Sequence, residues 1–247
     1  MTGSDAAARD VVLARVREAL ARPAPPPHTA HRAPHTAHRA EADAPDPLAI
    51  LPAPTRPWLP DGGATPAERM DILLRNLALL RAVAHRAPDL TAATEFVFAL
   101  ARQRDWKRVA YHHHPLVEPL LAGVPCASHC VDDAAPAAAA KDALDGCDAG
   151  ITACEALVAQ TGSILVGSGT CGGRGLSVLP HVHVVIATVD QVVATLADAF
   201  DGARRRHGGR LPSMLSLITG PSRTGDIERI LVLGAHGPRE LIVVLVG

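Results

Sequence analysis

The densest chemistry-bearing stretch is Gly220-Pro-Ser-Arg-Thr-Gly-Asp-Ile-Glu228, which follows the apolar run Met214–Thr219 and precedes Gly234-Ala-His-Gly-Pro238. An apolar strand that stops at a Gly-Pro turn and restarts as a helix leaves backbone N–H groups unpaired at the helix start, a natural place for an anion. Ser222 and Thr224 add hydroxyls there, and the planar fork of Arg223 suits a carboxylate or phosphate. Asp226 and Glu228 fall in the first turn of the expected helix, where carboxylates match the dipole and can also exchange protons. His236 sits in a turn flanked by glycine, where an imidazole titrating near neutrality serves as general acid or base, or else fixes the turn by bonding backbone carbonyls.

Gln160-Thr-Gly-Ser163 precedes an apolar run and forms a second turn with free donors from Thr161, Gly162 and Ser163. Glu155 is the nearest acid, and as plain structure it reads as a helix-start carboxylate. Gly167 to Gly175 is glycine-rich but lacks the Lys-Ser/Thr ending of a nucleotide-binding P-loop, so a flexible surface loop is the reading taken. His112-His-His114 and the alternate pair His181 and His183 invite a metal. Spacing names no third or fourth ligand for either group, and no metal site is assigned.

These residues need a frame. Apolar runs at Arg108–His112, Cys126–Val131, Ala149–Ala153, Ser163–Gly167, Val182–Ala187, Leu215–Thr219 and Leu241–Val246 read as strands, with helices expected at Asp190–Phe200 and Thr224–Leu233. Thr65-Pro-Ala-Glu68 is a capping box with proline at the first helical position, followed by a stripe of Met70, Leu73, Leu74, Leu77, Leu80 and Ala84. The alternation predicts a three-layer α/β/α domain with a largely parallel central sheet, in which ligands gather at the carboxyl ends of strands.

Ahead of that domain, residues 1–22 contain a short amphipathic helix with Val12, Leu13, Val16 and Leu20 at helical spacing. Residues 23–62 are rich in Pro, His and Ala and include two near-identical heptads, His28–Pro34 and His35–Glu41. Such a composition cannot bury apolar surface, so it reads as a disordered linker, leaving residues 63–247 as the folded domain. The net charge of -1 and the 2% of aromatic residues argue against nucleic acid as a partner. No apolar run is long enough to span a bilayer and no leader-like block opens the chain, so a cytoplasmic location is expected. The five cysteines are irregularly spaced, without Cys-x-x-Cys, which fits neither a disulfide framework nor an iron–sulfur cluster in this chain.

Four segments, Asp148–Glu155, Gln160–Leu165, Arg174–Pro180 with His183, and Gly220–Pro238, stand in an order and spacing that resembles the LUD-domain family, specifically its lactate-utilization protein C type. The resemblance implies a fold like that of the ribose-5-phosphate isomerase, glucosamine-phosphate deaminase and CoA-transferase group. It also implies support of L-lactate oxidation to pyruvate alongside iron–sulfur partner proteins, which would hold the clusters that this chain lacks. In the family pattern an acidic residue stands where this chain has Gln160. The site implied is a small-carboxylate or phosphate site formed by Gln160–Ser163, Arg174, Ser177, Gly220, Ser222–Thr224 and Gly237, with His236, Glu155, Asp226 and Glu228 as proton-handling groups. Other readings of the same fold group are a stand-alone enzyme on a phosphosugar or CoA thioester, and a scaffold without turnover.

Overall fold

Strands that are apolar at every position, rather than at every second one, have both faces covered. The central strands of this chain are of that kind. The computed structural model describes residues 59–133, 137–224 and 232–247. The expected N-terminal helix and residues 23–58 of the expected linker therefore lie outside the described residues, as do Asp226, Glu228 and the middle of the expected 224–233 helix.

In chain order the elements begin with α1 (Pro66–Leu79), β1 (Val83–Ala87), α2 (Leu90–Gln103), β2 (Arg108–Tyr111), β3 (Ala127–Cys130), α3 (Ala137–Asp145), β4 (Ala149–Thr152), β5 (Ala156–Val158) and β6 (Ser163–Gly167). They continue with β7 (Val182–Thr188), β8 (Val192–Val193), α4 (Leu196–Arg206), β9 (Leu215–Ile218), β10 (Arg223–Thr224), β11 (Val232–Leu233) and β12 (Glu240–Val246). Six strands form one sheet in the order β1-β12-β7-β4-β2-β3, and every pairing in it is parallel. The α/β class and the parallel central sheet are as the alternation predicts.

The period of two places alternate residues of β12 in different cores. Ile242 and Val244 pack with Val184 and Ile186 of β7 and with Ala93, Val97 and Leu100 of α2. Leu241, Val243 and Leu245 face the other way, onto Met70, Leu73 and Leu77 of α1 and onto Leu157, Ile164 and Val166. On that second face α1 is joined by a four-stranded sheet in the order β8-β5-β6-β9, which sequence reading does not anticipate. Ala199 and Ala203 of α4 cover its far side.

Helix α1 starts as its capping box dictates: Glu68 N–H donates to Thr65 Oγ1 at 3.2 Å, and Thr65 N–H to Glu68 Oε2 at 3.0 Å. It ends before the expected stripe does. Arg81 takes a positive φ of 63°, turning the chain so that Ala84 falls in β1 rather than on the helix. Residues just ahead of the helix are packed as well, since Gln160 Nε2 donates to Pro60 O at 2.7 Å. The expected helix at Asp190–Phe200 begins only at Leu196, because Val192 and Val193 pair with β5 and Thr195 provides the N-cap, accepting from Asp198 N–H.

Candidate functional site

The segment after β9 departs from expectation where it matters for anion binding. Arg223 and Thr224 are strand, paired antiparallel with Leu233 and Val232, so no helix begins at Thr224. Strand pairing engages backbone groups that a helix start would have left free, and the β-branched Thr224 and Val232 favour it. At Arg223 and Thr224 a ligand would be held by side chains and by the turn itself rather than by a helix start.

That turn is closely built. Gly220 has a φ of 88°, and a Cβ on it would lie 3.0 Å from Leu80 O, so only glycine fits. Ser222 N–H donates to Pro238 O at 2.9 Å and Gly234 N–H to Ser222 O at 3.0 Å, zipping the Gly220–Ser222 turn to the turn that carries His236. Gly237 completes the fit, since a Cβ there would stand 3.3 Å from Ser222 Cβ and 3.9 Å from Val178 O.

Beneath these turns is a cavity of about 20 Å³ whose lining includes Ser177, His183, Ser222, Pro238 and Leu241. That is room for a single water-sized group. His183, only 1% exposed, shares a hydrogen bond between its Nε2 and Thr152 Oγ1 at 2.9 Å, while its Nδ1 has no partner among the described residues. Burial pushes the imidazole pKa down to about 3, so the ring is neutral at ordinary pH and offers one unspent donor or acceptor. His183 and Leu241 sit opposite each other near the start of β7 and β12, so the cavity lies toward the amino ends of the parallel strands rather than the expected carboxyl ends.

The rim carries the remaining signature groups. Arg223 and His236 are exposed, and the Arg223 guanidinium folds back over Gly220, 3.3 Å from where a Cβ would be. Thr161 Oγ1 donates to Ser163 Oγ at 2.8 Å, and Ser163 Oγ is 2.8 Å from Thr219 Oγ1, which joins the Gln160–Ser163 turn to the residue before Gly220. Gly162, with φ 67°, packs on Asn76 and Leu80 at the end of α1. Thr224 contributes its backbone to the ribbon beside this rim.

Three predicted residues go elsewhere. Gln160 is buried and spends its amide on Pro60 O, away from the turn that it opens. Arg174 reaches Ser213 Oγ at 3.3 Å over a separate groove that also includes Lys141 and Asp132. Glu155 precedes a strand rather than a helix and is 3% exposed. It accepts from Arg206 Nε at 2.9 Å and from Thr170 Oγ1, and bonds His207 Nε2 at 2.9 Å. Burial pushes its carboxyl up, but the bonds from Thr170, His207 and Arg206 outweigh that and hold it below its ordinary value. A carboxylate so fully bonded and kept ionised pins the Thr170 loop and the end of α4, and is poorly placed to shuttle protons.

His183 and Thr152 are what sequence reasoning passed over as site residues. The available signal was a histidine inside an otherwise apolar, doubly buried strand, where an imidazole needs a partner on the same face. The other histidine expectation, a pair at His181 and His183, does not form a common site: His181 is exposed ahead of β7 while His183 is buried.

The sequence model of the LUD domain family matches residues 75–246. The chain is 37% identical over 100 residues to lactate utilization protein C of Shouchella clausii, covering 40% of this chain and 44% of that protein. It is 35% identical over 105 residues to the Deinococcus radiodurans protein of the same name, covering 42% and 49%, and 36% identical over 99 residues to that of Bacillus subtilis, covering 39% and 41%. The matched region thus spans less than half the length of these curated relatives. The crystal structure of a DUF162 family protein from Deinococcus radiodurans superposes with a TM-score of 0.55 at 22% identity, over 75% of this chain and 100% of that one, which shows a shared fold.

Proposed function

The chain belongs to the LUD domain family, and from that premise we propose that it acts in lactate utilization, supporting oxidation of L-lactate to pyruvate in the cytoplasm by anchoring a small carboxylate at the Gly220–Pro238 rim. The observation that carries this reading is the convergence of Ser177, Gly220 and Ser222 around one cavity, with Gly237 packed against Ser222, beside a buried histidine with an unspent nitrogen. Arg223 supplies the charge for a bidentate pair, and His236 is exposed on the turn that is hydrogen-bonded to Ser222. The curated relatives named lactate utilization protein C supply the process.

A water-sized cavity under an open rim favours a supporting role over a self-contained enzyme, because an enclosed small-molecule site needs several hundred cubic ångströms (roughly 300 or more). The open side of the rim is then completed by an iron–sulfur partner protein of the lactate-utilization system, which also carries the electrons. Four of the five cysteines are held in apolar packing, which supports that division of labour: Cys147 packs in one core cluster, Cys154 and Cys171 in another, and Cys126 against a third. Among the described residues no helix is long and apolar enough to cross a membrane.

The test is calorimetric titration of L-lactate, pyruvate and phosphate into the wild type and into Arg223→Ala, Ser222→Ala and His236→Ala. Loss of the Arg223 fork should weaken carboxylate binding about ten-fold or more, roughly 1.5–3 kcal/mol, with melting nearly unchanged because the side chain is exposed. Wild-type affinity in all three variants would remove the rim from function and leave a scaffold without a ligand.

A further inference from the structure

Strands β2 and β3 lie side by side at one edge of the central sheet, in parallel register with Tyr111 opposite Cys130. The loops that follow them leave the carboxyl end of the sheet together, and hydrogen bonds join them: Val131 N–H donates to Tyr111 O at 2.8 Å and His113 N–H to Asp132 Oδ2 at 2.7 Å. This brings together three side chains that sequence spacing gives no reason to group. One ligand atom from each of His113, Cys130 and Asp133 lies within 4.8 Å of the other two.

We propose that His113, Cys130 and Asp133 form a binding site for a zinc-class divalent ion. The donor set of one imidazole, one thiolate and one carboxylate is borderline-soft, which suits zinc and excludes a preference for calcium or magnesium. The geometry is nearly formed. Tetrahedral zinc with bonds of about 2.0–2.3 Å puts neighbouring ligand atoms about 3.3–3.6 Å apart, and His113 Nε2 already stands 3.2 Å from Asp133 Oδ1. The Cys130 sulfur, at the buried end of β3, lies within 4.8 Å of a ligand atom of each of the other two, so a shift of about 1.5 Å at most closes the triangle, within ordinary side-chain adjustment.

The imidazole is also oriented as a ligand should be. Its Nδ1 is 2.8 Å from Glu118 Oε1. A proton on Nδ1 donated to that carboxylate leaves the lone pair on Nε2, facing Asp133, and raises the basicity of the ring. Glu118 is thus a positioning residue. Three protein ligands leave a fourth position for water, and the ion clamps the two loops at the sheet's edge. This site is independent of the Gly220–Pro238 rim.

Cobalt(II) substitution tests the site in the full chain, because a thiolate ligand gives a near-ultraviolet charge-transfer band that histidine-only sites cannot. The histidine heptads at 28–41 contain no cysteine, so they cannot supply that band. One equivalent of cobalt(II), under reducing conditions, should give the band, and zinc should displace it. Cys130→Ser and His113→Ala should each abolish it, while Cys126→Ser leaves it intact. Glu118→Gln should weaken zinc, measured by chelator competition, by about ten-fold or more. His113 is exposed, so its variant folds even if Cys130→Ser does not. Absence of the band in the wild type, or its survival in either ligand variant, overturns the proposal.

Discussion

Acid should expose the cost of keeping His183 neutral. Its imidazole has an ordinary pKa of 6.5 that burial lowers to about 3 in the fold. Between those values the unfolded chain binds a proton that the folded chain refuses, so stability falls as pH falls from 6.5 toward 3 and is unaffected above. At pH 5 the unfolded histidine is about 1.5 pH units below its pKa, which at 1.36 kcal/mol per unit costs about 2 kcal/mol relative to pH 7. For a domain of this size that is a fall in Tm of about 4–8 °C. Other groups titrate in the same range: burial and neighbouring His114 lower His112, burial lowers His114, and Glu118 and Asp133 raise His113. The measurement is therefore a double difference, urea unfolding at pH 7 and pH 5 for the wild type and for His183→Gln, whose amide still reaches Thr152. The wild type should lose about 2 kcal/mol more than the variant over that interval. Equal losses, within about 0.5 kcal/mol, would mean that the ring is protonated or hydrated in the fold and that the account of its burial is wrong.

Gly150→Ala should cost about 1–3 kcal/mol in urea unfolding, because a Cβ there would lie 2.4 Å from Leu176 O; an unchanged midpoint would show that the 174–180 segment yields freely. Thr65→Ala should lower stability by about 1 kcal/mol through loss of the α1 cap, read as a small fall in Tm. Glu155→Gln should cost about 1–3 kcal/mol at pH 7. Because the folded Glu155 carboxyl is held below 4.5, the wild-type advantage is full above that pH and disappears as pH falls through the folded value; a gap that persists in acid would assign the effect to shape instead of charge.

Much of the strand structure was legible because burial on both faces leaves an unbroken apolar run: in the central sheet β7 and β12 extend their expected runs by a residue, and in the second sheet Ser163–Gly167 forms as read. Strand β1 was hidden, since Val83-Ala-His-Arg-Ala87 is short, half polar and continuous with the stripe of α1. Strands β5 and β8 escaped because three- and two-residue strands carry no periodicity. For the site, glycine-rich turns could be read, since a left-handed residue or a close backbone approach leaves its mark in residue type. What those turns pack against could not. The Gly220, Ser222 and Gly237 neighbourhood is built by long-range contacts, and the partners of Glu155, Arg206 and His207, lie far away in the chain. The strand at Arg223–Thr224 shows tertiary pairing overriding a local sequence that reads as a helix start.

The placement of β12 between β1 and β7 bears on how the molecule is made. On the ribosome, β1 and β7 emerge well before the segment that must lie between them, so β1 waits with no sheet neighbour and β7 with one open side. Pairing over so long a stretch of chain is slow to nucleate. Unpaired strand edges in a waiting chain are what neighbouring nascent chains can capture. Synthesis stalled ahead of residue 240 should therefore yield a product that aggregates or engages chaperones, and release of β12 is the step that commits the central sheet to its final order.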